Sequence, residues 1–213
     1  MPQYVWYACY GSNLLEQRFL CYIEGGRAPD SRFTNPGARD ATLPVDVRPF
    51  RIGHALYFGD EIAGWQNGGV AFLEADPDPL RWSYGRIYKI TVEQFNDVVL
   101  QENGLTPGNS EVWIPLPDPG QSQVIFDSIY GRIVGLDELA GSPVLTFTRP
   151  HDIPPEQRRR PSPQYLKTIL SGLLETCPGL RHHDLVPYFM DTEAREFGPE
   201  GIKDILADLE SAS

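Results

Sequence analysis

Residues Tyr4-Val5-Trp6-Tyr7-Ala8-Cys9-Tyr10 form an unbroken β-branched and aromatic run that stops at Gly11-Ser12-Asn13. A run of that kind, cut off by turn formers, predicts a buried strand entering a tight turn. From residue 14 to 23 the apolar positions space out to Leu15, Phe19 and Tyr22, with Glu16, Gln17 and Arg18 between them. This predicts a short helix, stopped by Gly25-Gly26. Residues 27–48 are polar and contain proline, which reads as a loop. Further strands are expected over 52–57, 69–73, 83–90, 124–134 and 144–148. Thr91 followed by Gln94 has the spacing of a capping box. The helix it opens would run through Phe95, Val98, Val99 and Glu102 and end at Asn103-Gly104. A Pro/Gly-rich stretch covers 106–121, and 149–164 is rich in Pro and Arg. Residues 164–174 predict a helix with Tyr165, Ile169, Leu170 and Leu173 on one side. Strands joined by short turns, with few helices, imply an α+β fold on a mostly antiparallel or mixed, barrel-like sheet.

Composition agrees with a folded chain. The 213 residues are 41% hydrophobic and 11% aromatic, enough for a core, and 20 Gly with 20 Pro favour a turn-rich architecture. A net charge of −11 repels phosphate backbones and anionic lipid, so neither a nucleic-acid nor a membrane partner is expected. The one basic cluster, Arg158-Arg159-Arg160, reads as a solvated loop. Cys9, Cys21 and Cys177 show no spacing of a disulfide framework or zinc site. No secretory leader pattern and no apolar run of ~20 residues is present, so a cytoplasmic location is expected.

Two segments carry candidate chemistry. A strand that ends in Gly-Ser-Asn before a helix leaves backbone N–H groups that converge on an anion or a polarised carbonyl. Gly11 lets a ligand approach the backbone, and Ser12 or Asn13 can cap the helix. An ordinary strand–turn–helix connection gives the same tetrapeptide. Glu102, in the last turn of its helix, sits against the macrodipole, which favours a raised pKa suited to acid–base work near neutrality. A solvated glutamate at a helix end reads the same way. His182-His183-Asp184 lacks a third ligand at suitable spacing and is expected in an exposed loop, and Cys9 is expected as a buried thiol.

Tyr10-Gly11-Ser12-Asn13-Leu14 after an apolar strand resembles the defining loop of the γ-glutamylcyclotransferase-like family. Three further blocks occur in that family's order. Tyr57-Phe58-Gly59 with Trp65-Gln66-Asn67-Gly68-Gly69-Val70-Ala71 resembles its Phe-Gly and Trp-x-Gly-Gly-Ile-Ala segment. Gly85-Arg86-Ile87-Tyr88-Lys89-Ile90 resembles its Gly-Val-Val-Trp-Lys strand, and Pro161-Ser162-Pro163-Gln164-Tyr165 its Pro-Ser-Pro-x-Tyr segment. The similarity covers residues 1–185 as one domain, its first block starting at about residue 4, and leaves 186–213 as a C-terminal extension.

The resemblance implies a cofactor-free and metal-free enzyme that cyclises a γ-glutamyl derivative to 5-oxoproline and releases an amino acid or amine. Glutathione, γ-glutamyl dipeptides and γ-glutamyl amines are the candidate substrates. Ungapped counting places the family's catalytic glutamate on Glu102; Tyr10, Gly11, Ser12, Asn13, Leu14 and Tyr165 become substrate-binding residues. Family habit suggests a homodimer. Three departures stand out: Asn103 where the family has Gly, Phe147 where it tends to have Tyr, and a longer 106–143 segment. Another acyl- or amine-transfer enzyme on the same scaffold, or a binding protein without turnover, shares these blocks.

Overall fold

A computed structural model describes residues 3–28, 31, 33–109 and 112–211. Strand β1 (Tyr4–Cys9) is the predicted apolar run, and five of its six residues are buried because it lies inside the sheet. It pairs antiparallel with β5 (Ser83–Thr91), from Tyr4 opposite Thr91 to Cys9 opposite Arg86. On its other side it pairs parallel with β8 (Ser142–Thr148), with Trp6 opposite Val144. Adding β2 (Asp46–Ile52), β6 (Ser122–Val124) and β7 (Arg132–Leu139) gives a six-stranded mixed sheet in the order β2-β5-β1-β8-β7-β6. Strands β3 (Leu56–Ile62) and β4 (Gly68–Leu73) form a separate antiparallel hairpin.

The expected barrel-like closure is corrected: the six-stranded sheet is open among the described strands. Its edges are built to stay open. Strand β2 carries Asp46, Arg48, Pro49 and Arg51, while β6 is three exposed residues long; charge, proline and shortness all disfavour further pairing. The same polarity hid β2, which begins inside the stretch read as a loop. Gly53 and His54 turn the corner between β2 and β3, where a strand over 52–57 was expected. The expected strand over 124–134 is divided by a turn at 125–131, closed by Ile125 N–H donating to the Gly131 carbonyl at 2.8 Å.

Five α-helices lie among the described residues. After a 3₁₀ turn at Ser12–Leu14 comes α1 (Glu16–Glu24), which buries Phe19, Tyr22 and Ile23. The capping box forms as read: Thr91 Oγ1 accepts from Gln94 N–H at 3.1 Å, and Gln94 Oε1 accepts from Thr91 N–H at 2.9 Å. It starts α2 (Val92–Glu102). Helix α3 (Pro163–Thr176) opens with Ser162 as N-cap and Pro163 in its first turn, where proline's missing N–H costs nothing. It presses directly on the loop after β1: a Cβ at Gly172 would stand 2.4 Å from the Leu14 carbonyl carbon.

Helices α4 (His182–Met190) and α5 (Gly198–Ser211) follow. The expected boundary at 185/186 falls inside α4, and Phe189, Ala194, Ile202 and Leu206 are fully buried in the same core as β1. Glu193 Oε2 accepts from Phe58 N–H at 2.7 Å. Arg158 turns inward instead of being solvated: its guanidinium covers the Tyr57 ring at 4.1 Å and reaches Glu74 Oε1 at 3.2 Å. His182-His183-Asp184 opens α4 instead of lying in a loop, with His182 Nε2 3.1 Å from Glu210 Oε1.

Candidate active site

A cavity of about 570 Å³ opens where the loop after β1, the end of α2, the β3–β4 hairpin and the start of α3 converge. Tyr10, Gly11, Ser12, Asn13, Glu102 and Tyr165 all line it. Leu14 does not: its side chain is fully buried in the core, and its carbonyl accepts from Arg86 Nη1 at 3.0 Å.

Glu102 is the last residue of α2, and the chain leaves the helix through Asn103 and Gly104. Asn103 does not take the left-handed conformation; Gly104 does, with φ +74°. Burial raises the Glu102 pKa, while a hydrogen bond from Asn13, the charge of Arg18 and the facing Tyr22 hydroxyl pull part of the way back. Asn13 Nδ2 donates to Glu102 Oε1 at 2.8 Å and to Tyr7 Oη at 3.2 Å. A carboxylate only accepts hydrogen bonds, so the NH₂ end of Asn13 must face it. Asn13 Oδ1, on the other side of the amide, is buried and has no partner.

The loop backbone has donors to spare. Among the described residues, the N–H groups of Gly11, Ser12 and Asn13 reach no backbone carbonyl, whereas Leu14 and Leu15 N–H donate back to Gly11 and Ser12. Ser12 N–H is turned toward the Tyr165 oxygen, which also accepts from Ala71 N–H at 3.1 Å. Burial pushes the Tyr165 phenol up to about 12, so it stays protonated at neutral pH. The Tyr10 hydroxyl is spent on the Phe147 carbonyl at 2.8 Å, so Tyr10 contributes its ring to the wall.

Each departure from the family pattern has a physical role here. Asn103 Oδ1 accepts from Ser128 Oγ at 2.5 Å and Tyr130 N–H at 3.3 Å, and its Nδ2 donates to the Tyr130 carbonyl at 3.2 Å. It thus straps part of the long 106–143 segment to the end of α2. Tyr130, so held, lines the cavity and donates its hydroxyl to the Ala71 carbonyl at 3.2 Å. Phe147 stacks on Tyr7 at 5.1 Å between centroids and meets Tyr130 edge-on at 5.6 Å.

Arg18, Tyr22, Trp65 and Tyr130 line the cavity without belonging to the loop or glutamate that the sequence singled out. The apolar spacing of α1 was the one signal for Arg18 and Tyr22, which flank Phe19. Cys9 also reaches the cavity wall, but burial pushes its thiol well up and Sγ donates to the Arg86 carbonyl at 3.4 Å, so it is no ready nucleophile. Among the described residues, no group of three His, Cys, Asp or Glu side chains stands together as a metal site, and no helix is long and apolar enough to cross a membrane.

A solved γ-glutamyl cyclotransferase superposes on 86% of this chain and 86% of its own, with a TM-score of 0.51 and 18% identity. The chain has the γ-glutamyl cyclotransferase fold. An uncharacterized protein from Homo sapiens shares that fold, with a TM-score of 0.50, 21% identity and 86% of both chains covered. In sequence, histone deacetylase 5 of Arabidopsis thaliana is 34% identical over 191 residues, 80% of this chain. The match spans 28% of that relative's length. No family model matches the chain. In the γ-glutamyl cyclotransferase fold seen here, three of the four sequence blocks supply cavity wall, through Tyr10–Asn13, Trp65 with Val70, and Tyr165, while Gly85–Ile90 lies in β5 beside β1. Gly69 N–H donates to the Arg160 carbonyl at 2.9 Å, joining the Gly-Gly segment to the Pro-Ser-Pro segment, and Tyr165 links that segment to the first loop.

Proposed function

We propose that this chain is a γ-glutamylcyclotransferase-type enzyme that converts a γ-glutamyl derivative to 5-oxoproline and releases an amino acid or amine. The observation that carries the reading is the pairing of Asn13 with Glu102 at 2.8 Å inside the cavity. It joins the Gly-Ser-Asn loop to a carboxylate whose pKa is lifted toward neutrality.

The chemistry needs little else. The substrate's α-amine loses a proton to Glu102 and attacks its own γ-carbonyl carbon, forming the ring C–N bond. The tetrahedral intermediate then breaks its bond to the departing nitrogen, which takes the proton back from Glu102. Water is neither consumed nor formed, and no protein nucleophile is required. The N–H groups of Gly11 and Asn13 are available to the developing oxyanion. The aromatic walls hold the glutamyl chain folded for attack.

Incubation with γ-glutamyl dipeptides, glutathione and γ-glutamyl amines, followed by mass spectrometry of 5-oxoproline, tests this. Product from at least one substrate, lost about 10³-fold or more in Glu102→Gln, is expected. Undiminished turnover by that variant would remove Glu102 from the mechanism.

A further inference from the structure

We propose that Arg18 is a carboxylate anchor of the cavity and that Trp65 is its platform. This rests on the cyclisation reading and deepens it by naming a second charge that the substrate carries.

Arg18 projects from α1 into the cavity, with its guanidinium carbon 4.5 Å from the centre of the Trp65 ring. Its Nε is enclosed and has no hydrogen-bond partner. None of the ion pairs among the described residues includes it. Among the described residues, Arg18 is the sole basic side chain on the cavity wall. Stacking on an aromatic face holds a guanidinium in one plane but satisfies none of its N–H groups. A guanidinium on a cavity wall that has no carboxylate partner is matched by a ligand that brings its own acceptors. A guanidinium fork fits a carboxylate through two parallel hydrogen bonds. Glu102 is close enough for the Arg18 charge to act on it, yet it is bonded to Asn13 instead. The cavity therefore presents a cation without a carboxylate partner beside an acid–base group. A carboxylate and an amine on one small molecule satisfy both.

A γ-glutamyl amino acid offers two such carboxylates, one beside the attacking amine and one on the leaving amino acid. Three ligands separate them. γ-Glutamyl-alanine has both, γ-glutamylethylamine lacks the one on the leaving group, and 4-aminobutyryl-alanine lacks the one beside the amine. Calorimetric binding is measured in the Glu102→Gln background, where turnover does not intervene, with and without Arg18→Met. Arg18→Met is expected to weaken γ-glutamyl-alanine about 10- to 100-fold. The ligand whose affinity Arg18→Met leaves unchanged identifies the carboxylate that Arg18 holds. Arg18→Lys, which keeps the charge without the planar fork, is expected to fall between, and Trp65→Leu to weaken the same ligands about 3- to 10-fold. Thermal melts establish that each variant is folded, and the lysine and leucine variants carry the test if the methionine variant is not. Equal affinity of parent and Arg18→Met for all three ligands overturns the anchor. Binding that depends on Arg18, without 5-oxoproline release by the unmutated protein, upholds the anchor and overturns the cyclisation reading.

Discussion

Asn13 and Glu102, 89 positions apart, meet through a 2.8 Å hydrogen bond that fixes both partners. The bond favours the charged carboxylate and so opposes the effect of burial. It also aims Glu102 from the end of α2 toward the loop that would hold the substrate.

Removing the amide changes the pH profile in a defined direction. With Asn13→Ala, nothing from residue 13 stabilises the carboxylate, so the Glu102 pKa rises further. A base that must be deprotonated to act then becomes active only at higher pH. The acid limb of kcat against pH is expected to move upward, with kcat at pH 7 falling about 10- to 100-fold, in line with a hydrogen bond to a charged group. A limb that stays in place while kcat falls would mean that Asn13 acts elsewhere than on Glu102.

Stability gives an independent view of the same carboxylate. Its folded pKa lies above the ordinary value of 4.5, so the fold favours the protonated form. That preference is fully present below the unfolded pKa and is lost as pH rises through the folded one, leaving a buried charge as a liability at neutral pH. Each tenfold change in the ionisation constant is worth about 1.4 kcal/mol. Glu102→Gln is therefore expected to be more stable than the parent in urea titrations at pH 8, with the advantage fading toward pH 4. A variant less stable at pH 8 would contradict the raised pKa.

Asn103 straps Tyr130 to the helix end through bonds made by both ends of its amide. Asn103→Ala removes them, at a net cost of about 0.5–1.5 kcal/mol per bond. Faster amide hydrogen exchange at residues 128–131 is expected, with KM raised about 3- to 10-fold and kcat little changed. Unaltered exchange there would show that the turn is held by its own closure alone.

The elements that the sequence disclosed are those whose cause is local. An apolar run buried on both faces, a Thr/Gln capping box and a Gly-Ser-Asn stop each act within a few residues, and β1, α2 and the loop between β1 and α1 formed where the pattern put them. The place of Glu102 was legible because it ends one of those elements, and the resemblance singled it out. Arg18 and Tyr130 were not, because each gains its meaning from a distant partner: Arg18 from Trp65, Tyr130 from Asn103 and Ala71. Strand β2 was hidden for a different reason. An edge strand with Pro49 and alternating charges has no hydrophobic period to detect. Arg158 looked solvated because its sequence neighbours are, while its own guanidinium is claimed by Tyr57, Glu74 and Glu193.

Two of the phenols on the cavity wall are moored to a single residue of β4: Ala71 gives its N–H to Tyr165 and its carbonyl to Tyr130. One comes from α3, the other from the long segment that departs from the family pattern. Ala71 is thus a shared mooring for two distant parts of the chain. A strand residue's N–H and carbonyl face the same edge, so both hydroxyls are tied along one edge of β4, and a substitution that shifts that backbone moves both rings at once.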